Sequence, residues 1–189
     1  MSGKLDLQRL HQKILRCKKC RLCKNRIHAV PGEGPFNAKI MFIGEAPGAE
    51  EDKTGRPFVG RSGRLLTQLL SEARLKRKEV FITSVVKSRP PKNRNPKADE
   101  LKACRFWWME QVVIIKPKII VLLGLIAKKE VLAQFGIKAE RGQFVRYQNM
   151  DVMWTYHPAA ALRSTRWKKT LFSDLKKISK KLRSYKLMS

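Results

Sequence analysis

Acidic residues are the scarcest part of this sequence relative to their counterparts. Only 15 Asp plus Glu stand against 42 Lys plus Arg, for a formal net charge of +27. So few acids exclude a surface held together by ion-pair networks, which need both signs. The uncompensated bases instead fit a polyanion as partner, because phosphate binding is driven by such an excess. Long apolar runs are also missing. None reaches the roughly 20 residues needed to cross a bilayer, and the start, Met1-Ser2-Gly3-Lys4, lacks the apolar stretch of a secretory signal. The expected location is therefore cytoplasmic. Cysteine is sparse, four in 189 residues, and three of the four crowd into Cys17-x-x-Cys20-x-x-Cys23 with Cys104 far away. In a reducing compartment such a cluster reads as metal ligands before disulfides, with the spacing of an iron–sulfur or zinc site. What the chain does have is a hydrophobic fraction of 43%. That excludes a disordered basic tail and is enough for one cored domain spanning 1–189.

Periodicity places the elements. Leu7, Leu10, Ile14 and Cys17 recur at helical spacing, so a helix leads into the cysteine run. Lys39 to Ile43 is a short apolar run stopped by Gly44, hence a buried strand. Arg64 to Leu75 reads as a helix with Leu65, Leu66, Leu69 and Leu70 on one face, and Val80 to Val86 as a second strand. Asn95-Pro96 is expected to open a helix running to about Ile115, with Asn as cap and Asp99 and Glu100 in its first turn. Ile119 to Leu123 is a third strand, Leu125 to Phe135 a helix, Val152 to Tyr156 a fourth strand broken by His157-Pro158, and Trp167 to Leu182 a lysine-rich helix. Gly48 to Gly63 and Arg89 to Pro96 remain as long loops. Alternating strands and helices predict an α/β fold with a mostly parallel four-stranded sheet between helical layers.

Three strand ends carry polar groups: Glu45 after the first, Ser84 and Lys87 near the second, His157 after the fourth. Carboxyl ends of parallel strands open on one crevice. There a glutamate, a hydroxyl and a histidine could perform acid–base or oxyanion chemistry. Singly, each has a plain structural reading, His157 as a turn residue and Ser84 as a strand hydroxyl bonded to backbone. Their coincidence at strand ends is what raises the catalytic reading. With the cysteine cluster and the charge, the pattern points to a nucleic-acid enzyme.

The motifs resemble those of the family 4, iron–sulfur uracil-DNA glycosylases. The matching residues are Cys17-x-x-Cys20 with Arg26, Val30-Pro31-Gly32-Glu33-Gly34, and Gly44-Glu45-Ala46-Pro47-Gly48 running through Glu51 and Asp52 to Phe58 and Gly60. They continue through Ile82 to Pro91 with Asn93-Arg94, then Cys104 and His157-Pro158, so the likeness spans roughly residues 14 to 175. The resemblance implies a three-layer α/β/α domain with an N-terminal iron–sulfur-binding segment. It also implies a monofunctional hydrolase that flips uracil out of DNA, single- or double-stranded, and cuts its N-glycosidic bond to leave an abasic site. Expected roles follow the motifs. Phe58 stacks on the base, with Ala46 and Ser84 beside it. His157 donates to the uracil oxygen that gains charge, and Glu45, with Glu51 as a second candidate, serves the water and the cationic sugar. Leu162 wedges into the gap left by the base, and Arg163, Lys87 and Arg89 hold phosphate. A monomer without membrane attachment is expected.

Two departures accompany the resemblance. The family usually has Asn where this chain has Ser84, and an amide can read both N3–H and O4 of uracil where a hydroxyl has one donor. Hypoxanthine or xanthine as the excised base, or a catalytically weak DNA-binding relative, are therefore the alternative readings. The family's third cysteine, before Arg-Pro-Pro, is Ser88 here, while Cys23 is extra. The expectation is a relocated ligand, with Cys17, Cys20, Cys23 and Cys104 holding a 4Fe–4S cluster. The other readings are three cysteines completed by Ser88, a zinc site, or Cys23 as a free thiol. The covalent uracil-trapping branch relies on a histidine in the loop after the second strand, and Arg89 to Pro96 has none.

Overall fold

The computed structural model describes residues 2–187. Its sheet is built from continuous apolar runs: β1 (Ile40–Gly44) and β3 (Ile119–Leu123) are buried at every position. Strands buried on both faces need helices on both faces, and side chains alternate between them. Met41 and Ile43 of β1 join one core with Leu10 and Ile14 of α1 (Ser2–Leu15), Trp108 and Val112 of α4 (Ala98–Ile115), and Val131 of α5 (Leu125–Phe135). Ile40 and Phe42 join the other with Leu66, Leu69 and Leu70 of α3 (Arg61–Glu72) and Leu171, Leu175 and Ile178 of α7 (Thr165–Leu187). Each such side chain contributes about 1.5–3 kcal/mol by leaving water. The result is the expected α/β/α layering.

The sheet has five strands, one more than the sequence pattern showed. β2 (Phe81–Ser84), β1, β3 and β5 (Met150–Thr155) are parallel neighbours, and β4 (Val145–Tyr147) pairs antiparallel with β5. β4 is three residues long and only half-buried, so it carries no apolar run to read. The chain leaves β1 toward β2 on one side and returns to β3 on the other. This reversal opens a crevice at the strands' carboxyl ends.

Two boundaries differ from the sequence pattern for local reasons. α4 begins at Ala98 and not at Asn95-Pro96, because its capping interaction is the Glu100 carboxylate accepting from the Lys97 N–H at 2.8 Å. The Gly48 to Gly63 loop holds a short helix, α2 (Ala49–Thr54), closed by a Glu51 carboxylate oxygen that accepts from Gly48 N–H at 3.1 Å.

Candidate active site

A cavity of about 560 Å³ opens at the carboxyl ends of β1, β2 and β5. Glu45, Ala46, Glu51, Phe58, Ser84, His157 and Arg163 all line it, together with Asn93, Arg94 and Asn95 from the loop after β2. Seven of the residues singled out from the sequence therefore meet in one place, brought from positions 45 to 163 by the parallel strands.

His157 is set at the start of a short helix, α6 (Pro158–Ala161), where its Nδ1 accepts from the Ala159 N–H at 3.1 Å. Holding Nδ1 as an acceptor puts the proton of the neutral ring on Nε2. Burial lowers the His157 pKa to about 4, against a weaker opposing pull from Glu51. The ring is thus neutral at physiological pH and offers Nε2–H as a donor. Its place is fixed from behind. Gly124 packs so closely that a Cβ there would lie 2.9 Å from the His157 Cβ. Two residues upstream, Thr155 Oγ1 donates to the buried Asp174 of α7 at 2.6 Å.

Phe58 is buried although it sits in a Gly/Pro/Arg-rich loop. Its ring lies against Gly44, where a Cβ would come within 2.5 Å of the Phe58 Cζ, and 5.6 Å from the His157 ring, tilted by 34°. Its φ of +51° is a left-handed conformation that a bulky residue rarely adopts. Strain of this kind, about 1–3 kcal/mol, persists where the surroundings over-determine it and clusters at ligand-clamping positions.

The two glutamates differ in their surroundings. Glu51 is nearly buried, and its carboxylate accepts from three backbone N–H groups, those of Gly48 (3.1 Å), Val59 (2.8 Å) and Gly60 (2.8 Å). It ties α2 to the Phe58 turn while still lining the cavity. The Glu45 carboxylate makes no hydrogen bond or ion pair to protein among the described residues. Burial raises its pKa. Ser84 ends β2, nearly buried, with its Oγ facing Gly44 across β1.

Of the groups expected at DNA phosphates, Arg163 lines the cavity mouth, Leu162 is exposed beside it, and Arg89 is half-buried with its Nε donating to Asn93 Oδ1 at 2.7 Å. Lys87 is elsewhere. Its side chain is 1% exposed and its ammonium donates inward to Thr83 Oγ1, Ser84 O and Gln111 Oε1. Burial lowers its pKa to about 7. It cannot reach a phosphate; it braces the end of β2 under Ser84. Sequence pattern also missed Asn93 as a cavity residue. No sequence signal marks it, because the backbone that carries it, with successive φ of +54° at Lys92 and +56° at Asn93, is seen only in the fold.

The cysteines come together only in part. Cys20 and Cys104 lie close enough for their thiols to interact, which lowers the Cys20 pKa and, with burial, raises that of Cys104. Cys17 follows α1, and Cys23 sits in the 3-10 turn Arg21–Lys24 that Cys20 opens. Among the described residues no three metal-ligating side chains converge. Donor type and number suit a thiolate-held cluster, and one pair meets.

The family model for the uracil DNA glycosylase superfamily matches residues 31–182. The chain belongs to this superfamily. It is 47% identical over 183 residues to a type-4 uracil-DNA glycosylase of Sulfurisphaera tokodaii, covering 92% of this chain and 83% of that one. A type-4 enzyme of Pyrobaculum aerophilum is 48% identical over 168 residues (84% and 86% of the two chains), and one of Thermotoga maritima 39% over 176 (88% and 89%). The matched span contains Glu45, Phe58, Ser84 and His157 of the cavity wall. It excludes Cys17, Cys20 and Cys23, which lie before residue 31.

Proposed function

We infer that this member of the superfamily is a DNA repair glycosylase that removes uracil by hydrolysing its N-glycosidic bond. The observation that carries the reading is the neutral His157, with Nε2–H as its free donor, in one cavity with Phe58 and an unpaired Glu45. In the reaction we propose, the flipped base rests against Phe58 and Ala46. As the glycosidic bond lengthens, negative charge gathers on the uracil oxygen facing His157 and positive charge on the sugar. A neutral donor stabilises that oxygen without having to give up its proton, and one such donor is worth about 3 kcal/mol. The Glu45 carboxylate opposes the sugar's charge and orients the water that completes hydrolysis. Leu162 and Arg163, exposed at the mouth, fill the vacated stack and hold phosphate. The whole chain acts as one domain on this substrate. Single-turnover assays on duplexes carrying uracil, hypoxanthine or xanthine, with alkaline cleavage at abasic sites, test it. Excision of uracil above the others is expected, and no excision of any base would refute it.

Ser84 favours a second reading, excision of another deaminated base. Its hydroxyl is a single short donor–acceptor atom where the family's amide carries a donor and an acceptor on separate atoms. Ser84→Asn is expected to raise the rate on uracil about tenfold or less, since each restored hydrogen bond is worth on the order of 1 kcal/mol. Loss on hypoxanthine or xanthine together with a gain on uracil would assign the native pocket to that other base. Unchanged rates on every base would remove Ser84 from base recognition.

For the metal we propose that Cys17, Cys20, Cys23 and Cys104 hold a 4Fe–4S cluster. Two observations support Cys23 over Ser88 as the remaining ligand. The Ser88 hydroxyl already accepts from Arg26 at 2.9 Å, and Cys23 N–H bonds the Cys20 carbonyl at 3.2 Å, keeping the two residues on one turn. Such a cluster supplies a cross-link between the N-terminal segment and α4, apart from the base cavity. The purified protein is expected to be brown, with broad absorption near ~400 nm and about four irons per chain. Cys23→Ser should bleach it, while a colourless protein with one zinc would overturn the assignment.

A further inference from the structure

α3 and α7 both begin at the base cavity and run down one flank of the sheet. Ser62, near the start of α3, lines that cavity, as does Arg163 just before α7. At the far end of the same flank, the residues that close α3 (Glu72 to Arg74) and α7 from Phe172 onward line a separate groove of about 820 Å³. At 1.5 Å per residue it starts about 15 Å from the cavity along α3. Arg74, Lys176, Lys180 and Arg183 line it, over a floor of Phe172 and Ser179, with Glu72 at the rim.

Part of the surrounding charge is neutralised by acids. Lys76, Lys177 and Lys181 are each paired, with Glu79, Asp174 and Asp151. Among the described residues Arg74, Lys176, Lys180 and Arg183 make no ion pair, and all four are exposed. Lys176 lies over the Phe172 ring, 4.4 Å from its centroid, which holds its ammonium at the groove. Arg74 has φ of +60°, the position after a helix where glycine is the unstrained choice. The chain accepts a left-handed arginine there, at roughly 1 kcal/mol. Lys176, Lys180 and Arg183 share one helical stripe about 10 Å long, a length over which a duplex presents about six phosphate charges.

We propose that this groove is a second nucleic-acid site, holding the phosphate backbone of a duplex segment other than the one at the base cavity, so that one molecule bridges two segments. The groove lies down the flank and away from the strand ends. A straight duplex laid across the cavity mouth would not follow α3 and α7 to it.

The test is co-capture. A biotinylated uracil duplex on beads is loaded with the protein, and a fluorescent undamaged duplex is added. The wild type should retain the second duplex. The variant R74E/K180E/R183E should lose it, and its plot of log affinity against log salt should flatten by about 2 to 3. Its single-turnover rate on a short uracil duplex, at saturating enzyme, should be unchanged. The neutral variant K176Q/K180Q/R183Q, checked by thermal unfolding, should lose co-capture too and guards against a misfolded charge reversal. Three results would overturn the proposal: no co-capture by the wild type, co-capture retained by both variants, or excision falling in step with co-capture. Retention of the protein on polyglutamate beads through this groove, without co-capture of duplex, would reassign it to an acidic protein and equally defeat the proposal.

Discussion

Replacing His157 by Ala is expected to lower the single-turnover rate of uracil excision by about 10²–10³-fold, with affinity for undamaged DNA nearly intact. The size follows from removing one pre-aimed donor from a developing oxyanion. The selectivity follows because His157 acts on charge that exists only as the bond breaks, not on ground-state phosphate. The pH dependence sharpens this. With its pKa lowered to about 4, the ring is already neutral well below the range where histidine normally titrates. No loss of activity should therefore centre near pH 6.5. A wild-type loss of activity as pH rises through that range, absent in His157→Ala, would mean a protonated imidazole is at work, and equal rates for variant and wild type would remove His157 from the chemistry.

The site was legible where the chemistry sits at the ends of buried strands. β1 and β3 are unbroken apolar runs, so Glu45 was placeable as the first residue past β1, and His157-Pro158 as the stop after β5. Parallel strands then bring them together by topology alone. What stayed hidden depends on which way a side chain turns once packed. Lys87 follows β2 as if aimed at DNA, yet Thr83, Gln111 and the Ser84 carbonyl offer its ammonium a buried set of acceptors. Glu51 sits in the motif as prominently as Glu45, and only the folded turn reveals the three N–H groups that occupy it. The polar neighbours of Phe58 do not reveal that Gly44 leaves a hollow that the ring fills. β4 escaped because three half-buried residues on a sheet edge carry no periodic signal.

Glu45→Gln is the variant in which activity and stability should move in opposite directions. Burial without a hydrogen-bonding partner raises the Glu45 pKa, so the folded state disfavours the carboxylate that the reaction uses. Above the pKa of the unfolded chain, about 4.3, ionising Glu45 costs more in the folded state than in the unfolded one. That penalty is fully present at neutral pH and is relieved as pH falls through the raised folded value. Glutamine keeps the shape and removes the charge, so Tm at pH 7 should rise slightly, and the difference from wild type should shrink under acid. Excision should fall by about 10²–10⁴-fold, the range for a positioned acid–base group. The wild type should lose activity as acid protonates Glu45, with the midpoint above the ordinary glutamate value, and the residual activity of Glu45→Gln should lack that limb. A variant that is both less stable and less active would point to Glu45 as a structural strut. One that keeps both the wild-type rate and the acid limb would pass the role to another group in the cavity, with the water-bearing carboxylate to be sought again.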